Sequence, residues 1–93
     1  MRTIERSTAF KRDYKREAKG QHRSVLDDLL YPILLVLATD MTLNEHHRDH
    51  SLIGNWAGYR ECHIKPDLLL IYSKPDEHTL RLARLGSHSA LFG

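Results

Sequence analysis

Apolar residues recur every four positions at Phe10, Tyr14 and Ala18 in an otherwise charged run, which predicts a helix over 7–19 with a narrow inward stripe. Ser7 stands where an N-cap belongs and Gly20 where the helix should stop. A second helix follows with a broader face, apolar at 25, 26, 29, 30, 33, 34 and 37. Ser24 and Asp27 have capping-box spacing at its start, and Asp28 adds negative charge near the positive end of the helix dipole. Pro32 interrupts this helix; a mid-helix proline removes a backbone donor and costs about 3 kcal/mol, so a kink or a restart is expected there. Leu35 and Val36 make the far side apolar as well, which exceeds what a two-layer domain needs and points to a partner surface.

After a loop over 40–58 the period changes from near four to two. The segments 59–65, 67–74 and 79–86 read as strands, and "TIER" (Thr3–Arg6) as a short strand before the first helix. "KPD" and "PDEH" supply tight turns between the last three. The order β-α-α-β-β-β predicts an α+β fold, a mostly antiparallel four-stranded sheet with two N-terminal helices packed on one face. Alternation in 59–65 sends Cys62 and Ile64 towards the helices and Tyr59, Glu61, His63 and Lys65 to the other, open face. Strict alternation in 79–86 would set Arg84 beside Leu80 and Leu82, and a bulge near the strand end would re-aim it.

The 93 residues suffice for a single domain, 1–93. The charge is uneven: residues 1–24 carry eight Lys/Arg against three Asp/Glu, and 25–58 carry one against five. A basic first quarter hints at a polyanionic partner, although a solvated helix face has the same look. The single Cys62 excludes an intramolecular disulfide and reads as a small buried hydrophobe. The N-terminus lacks the apolar stretch of a signal peptide, and the most apolar run, 29–38, is half the length that spans a bilayer, about 20 residues. A cytoplasmic protein without membrane association is expected.

The loop holds "NEHHRDHSL" (Asn44–Leu52), three of seven histidines within five positions. As metal ligands His46, His47 and His50 lack a helix to align them and no H-E-x-x-H pattern accompanies them, so no metal is expected. His46, His47, His22 and His78 read as solvated. A nucleophile elbow and a phosphate-binding glycine loop are both absent. Metal-free acid–base cleavage of RNA fits better, since the substrate carries its own 2′-hydroxyl nucleophile. The protein then has to supply a base, an acid and a cation for the phosphorane. Imidazoles suit both proton steps and arginine suits the phosphate. His50, His63, Asp67, Arg84 and His88 are the residues available.

The segments "HRDHSLIGNWAGYRECHIKPDLLLIY" and "RLGSHSALFG" resemble the YafQ branch of the RelE-type toxins of bacterial toxin–antitoxin systems. The family pattern, roughly K-D-H-x-L-x-G, R-x-x-H-x-x-P-D-x-x-L-I-Y and R-x-G-[ST]-H-x-x-L-F, is met at His50, Leu52, Gly54, Arg60, His63, Pro66, Asp67, Ile71, Tyr72, Arg84, Gly86, His88, Leu91 and Phe92. Arg48 replaces a common lysine and Leu68 a frequent aromatic. The resemblance implies a RelE-like, microbial-RNase-like fold and a ribosome-dependent mRNA endonuclease without cofactor. It implies a cognate antitoxin, usually of the ribbon-helix-helix kind (RelB/DinJ-like), contacts with mRNA and ribosomal RNA, and operator DNA only through the antitoxin complex. It also implies catalytic roles for His50, His63, Asp67, Arg84 and His88: base or orienting group for the first two, support of a histidine or a share in proton transfer for Asp67, phosphate binding for Arg84 and the acid for His88. Phe92 would contact a base, with Arg60 and Lys65 also expected to bind substrate. A basic domain that blocks translation by occupying ribosomal RNA is the competing reading, supported by Lys11, Arg12, Lys15, Arg16 and Lys19. Arg84 and His88 on one short segment favour the enzyme, because a binder has no need of a proton donor.

Overall fold

The computed structural model describes all residues from Met1 to Gly93. Its elements are β1 (Thr3–Arg6), α1 (Thr8–Glu17), α2 (Leu26–Ala38), β2 (His50–Ser51), β3 (Arg60–Lys65), β4 (Leu68–Ser73), β5 (Thr79–Gly86) and α3 (His88–Phe92), with single 3₁₀ turns at Glu45–His47 and Gly54–Trp56. The sheet has five strands in the order β1-β5-β4-β3-β2. β1 pairs with β5 in parallel and every other pair is antiparallel. The α+β class is as expected; the fifth strand, β2, is two residues long and lies within the predicted loop 40–58.

Ser7 caps α1 by accepting the Phe10 N–H (2.9 Å), and its hydroxyl donates to the Ala83 carbonyl (2.8 Å), tying the helix start to β5. The capping box at Ser24 does not form. α2 starts at Leu26 with no side-chain cap, and Asp27 instead accepts the Tyr14 hydroxyl from α1. Nor does Pro32 break α2, which is continuous from Leu26 to Ala38. Pro32 and Asp28, one turn earlier, both lie on the exposed side, where water can take the place of the missing donor. Leu26, Leu30, Ile33 and Leu37 face the sheet and meet Cys62, Ile64, Leu68, Leu70, Tyr72, Leu80, Leu82 and Leu85 in one core. Val36 packs against that core, whereas Leu35 and Tyr31 are exposed and line an apolar groove of about 520 Å³ with Met1, Ile4 and Phe10.

The face away from α1 and α2 is less open than expected. Leu69, Ile71, Ala83 and Leu91 form a second cluster, flanked by Leu52, Trp56 and Tyr59. β4 is therefore buried along its whole length. The lid is α3, capped by Ser87, whose hydroxyl accepts the Ala90 N–H (3.1 Å), and anchored by Leu91. Leu91 is the residue that fixes the tail; Phe92 beside it stays exposed.

Candidate active site

Cross-strand partners share a face, so register builds the site. His50 lies opposite Glu61, Glu61 opposite Ile71, and Ile71 opposite Arg84. One row thus crosses β2, β3, β4 and β5 on the face away from α1 and α2. The next row holds His63, Leu69 and Gly86, after which the chain turns into α3 with His88 and Phe92. With strands about 4.8 Å apart, His50 and Arg84 stand at opposite ends of a row roughly 14 Å wide at the backbone. Leu69 and Ile71 form its dry floor.

At one end two imidazoles share a carboxylate. His50 Nε2 lies 3.6 Å and His63 Nε2 3.5 Å from the same oxygen, Glu61 Oε1, and the two ring centres are 6.5 Å apart. Glu61 is buried at 5% exposure, and its carboxylate is the acidic group that both rings face. Alternation had placed Glu61 on this face, but only the pairing of β2 reveals it as the residue that joins the two histidines. The His50 ring is fixed from the other side, since its Nδ1 is 2.6 Å from the Arg48 carbonyl. A carbonyl can only accept, so Nδ1 carries the hydrogen and Nε2 is the nitrogen free to take a proton. Arg48 has a left-handed backbone (φ 50°), the turn that aims its carbonyl at this ring. Asp49 completes the hold, accepting the Tyr72 hydroxyl (2.7 Å) and Arg60 Nε (3.1 Å).

At the other end Arg84 is held by Asp13, which no motif marks. Asp13, on α1, is 3% exposed. It accepts Arg84 Nε (2.7 Å) and Nη2 (3.3 Å), Arg16 Nη1 (2.9 Å) and the Leu85 N–H (3.0 Å). Arg16 Nη2 continues to the Leu85 carbonyl at 2.8 Å, an approach that requires Gly86, where a Cβ would stand 2.7 Å from that nitrogen. The fork occupies Nε and Nη2 of Arg84 and leaves Nη1 for a ligand. Burial pushes the Asp13 carboxyl up, but the hydrogen bonds and charge of Arg84, with those of Leu85 and Arg16, outweigh it and hold the group below the usual range. Arg84 escapes the helix-facing row because β5 carries the bulge: the register with β4 shifts between Ile71 and Tyr72, so Leu82 and Leu85 both face the core. His88 and Phe92 pack against each other on α3 with tilted rings, 5.0 Å between centres, and Phe92 is 37% exposed.

Two expected site residues, Arg60 and Asp67, fall elsewhere. Arg60 pairs with Tyr72 on the helix-facing side, and its guanidinium is engaged by Asp49 and the Ser51 hydroxyl (2.8 Å), so it braces the β2 edge. Asp67 meets a histidine, but that histidine is His22: Asp67 accepts Gln21 Nε2 (2.9 Å) and lies 3.3 Å from His22 Nε2. His22 is buried at 7% exposure and not solvated; the pair fastens the β3–β4 turn to the α1–α2 connection. His47 is half-buried and donates Nδ1–H to the His63 carbonyl (2.7 Å), whereas His46 and His78 are exposed as expected. Lys65 lies at the end of β3 beside His63, in a cavity of about 260 Å³. Cys62 faces the core, and burial, with the nearby charges of Asp49 and Glu61, raises its thiol to about 12, so it stays protonated.

Asp13 has a lowered carboxyl, so its stabilisation is complete above the unfolded value of about 4 and is lost as pH falls through the folded one. Melting curves of the wild type should weaken below pH ~4. Asp13→Asn should be less stable at neutral pH by about 3 kcal/mol and show a shallower acid slope, carried by Asp40 and Asp76, whose carboxyls are also lowered. Equal acid slopes in both proteins would remove Asp13 from this role.

The family model for the bacterial toxin of type II toxin–antitoxin systems, YafQ, matches residues 2–93. The chain is 39% identical over 92 residues to the mRNA interferase toxin YafQ of Escherichia coli strain K12, covering 99% of this chain and 97% of that one. The crystal structure of YafQ from E. coli strain BL21(DE3) superposes with a TM-score of 0.85 at 35% identity over the full length of both chains. A chain in the crystal structure of the E. coli DinJ–YafQ complex superposes with a TM-score of 0.83 at 36% identity, again over the full length of both.

Proposed function

This chain belongs to the YafQ family of bacterial type II toxin–antitoxin toxins, and from that premise we propose that it is an mRNA interferase, cutting translated mRNA on the ribosome by metal-free attack of a 2′-hydroxyl. The observation that supports the chemistry most directly is the row from His50 and Glu61 to Arg84, with proton-transfer groups at one end and a half-free guanidinium at the other. His50, with its Nδ1–H committed to the Arg48 carbonyl, takes the 2′-hydroxyl proton at Nε2. Glu61 stabilises the imidazolium that results, and His63, on the same carboxylate oxygen, orients the hydroxyl. As the 2′-oxygen attacks, Arg84 offers Nη1 to the phosphorane oxygens. His88 gives its proton to the departing 5′-oxygen, and Phe92 stacks on a neighbouring base. Asp67 enters this reading only by fixing the turn after Lys65.

A relative is known in complex with DinJ, and we assign a cognate antitoxin, of the ribbon-helix-helix kind, to this chain as well. Leu35 and Tyr31, 55% and 58% exposed, border the apolar groove between β1 and α2 and are proposed to lie against it. Leu35→Asp should weaken antitoxin binding in calorimetry by at least tenfold with little change in melting temperature. Unchanged affinity would move the antitoxin off this groove.

Primer extension on an mRNA carried by translating ribosomes tests the activity. The wild type should produce breaks within codons, and these should persist in a chelator once ribosome integrity is controlled. His50→Ala, Glu61→Gln and His88→Ala, checked for folding by circular dichroism, should each lose about 100- to 10,000-fold in cutting, whereas His78→Ala should not. Ribosomes that stall without breaks would favour the non-enzymatic translation inhibitor.

A further inference from the structure

A cavity adjoins the histidine end of the row and shares His63 with it. It is lined by His46, Arg48, His63, Ile64, Lys65 and Pro66, four of them able to carry positive charge and none of them acidic. The nearby carboxylates are taken up by His63 of the lining, which shares Glu61 with His50, and by cations outside it, Arg60 with Asp49 and His22 with Asp67. Arg48 and Lys65 are left without a carboxylate partner beside the same cavity. Its wall is fixed, because His47 ties the 3₁₀ turn to the His63 carbonyl (2.7 Å) and Asn44 holds His46 Nδ1 (2.7 Å). Uncompensated cations around a pre-formed recess of about 260 Å³ are what a phosphate group requires.

We propose that this cavity is a second phosphate subsite, and that it takes the phosphate on the 5′ side of the nucleotide whose 2′-hydroxyl reacts. The polarity follows from the sheet and rests on the reading of the row given above. The scissile phosphate, on the 3′ side of that nucleotide, goes to Arg84 on β5. His63 faces both the row and the cavity, while the 3₁₀ turn that walls the cavity packs against β3, on the side away from β5. A strand running from Arg84 past His63 therefore brings its preceding phosphate to Arg48 and Lys65. The subsite would fix which nucleotide sits over His50, a matter of alignment and not of proton transfer.

Binding to an uncleavable probe tests this without depending on catalysis. The probe is a trinucleotide with a 2′-deoxy central residue, titrated into the full-length protein and followed by amide chemical shifts. Arg48→Ala/Lys65→Ala should bind it at least tenfold more weakly than the wild type, and the slope of log affinity against log salt should fall by about 0.7, the value for one phosphate of a single strand. A neutral methylphosphonate in place of the 5′-side phosphate should cost the wild type a similar factor and cost the double variant nothing further. Equal affinities of wild type and variant, or a methylphosphonate penalty that persists in the variant, would overturn the subsite. If the subsite binds as described while the mRNA on ribosomes stays whole, it is the cleavage reading that fails.

Discussion

One extra residue in β5 governs both faces of this sheet. Without the shift between Ile71 and Tyr72, the parity that sends Leu80 and Leu82 into the helix-facing core would send Arg84 there too and leave Leu85 on the site face. A buried, unpaired guanidinium is far more costly than a displaced leucine, so the strand is obliged to bulge. The bulge does more than expel a charge. It sets Arg84 in the same row as His50 and Glu61, and it presents the Leu85 N–H to Asp13. Core packing and site geometry are thus solved by one irregularity.

The four bonds that converge on Asp13 make the solution rigid. A buried carboxylate persists only when its oxygens are satisfied, and here two arginines and a backbone amide do so from two elements. α1 is therefore not merely a cover over the core. Its Phe10 enters the core, its Asp13 orients Arg84, and its Tyr14 hydroxyl holds Asp27 at the start of α2. In the proposed reaction this leaves Arg84 with one free nitrogen on a fixed frame, which is the arrangement that loses least on reorganisation.

The sequence pattern revealed the elements that rest on period and missed those that rest on partners. β5, the extent of α1 and the inward turn of Cys62 and Ile64 were legible because apolar spacing sets them. The bulge was legible too, as a conflict between Arg84 and its strand. β2 was hidden because two residues carry no periodicity, and with it went the link from His50 through Glu61 to His63. Asp13 was hidden because an aspartate on a basic helix looks solvated until the opposite arginine is known. Asp67 and Arg60 drew attention through motif matching, yet their side chains hold the β3–β4 turn and the β2 edge. α3 was hidden by its brevity, and Leu91, not its larger neighbour Phe92, turned out to be the anchor.

The central claim is that the substrate's own 2′-hydroxyl is the nucleophile and that imidazoles move the protons. The ends left on the RNA report this most directly. mRNA fragments recovered from translating ribosomes treated with the wild-type protein should accept labelled phosphate from polynucleotide kinase without prior phosphatase treatment, showing 5′-hydroxyl ends, and their upstream partners should end in a 2′,3′-cyclic or 3′-phosphate. Fragments with 5′-phosphates and free 3′-hydroxyls would mean that water attacked the phosphate, and would contradict the account.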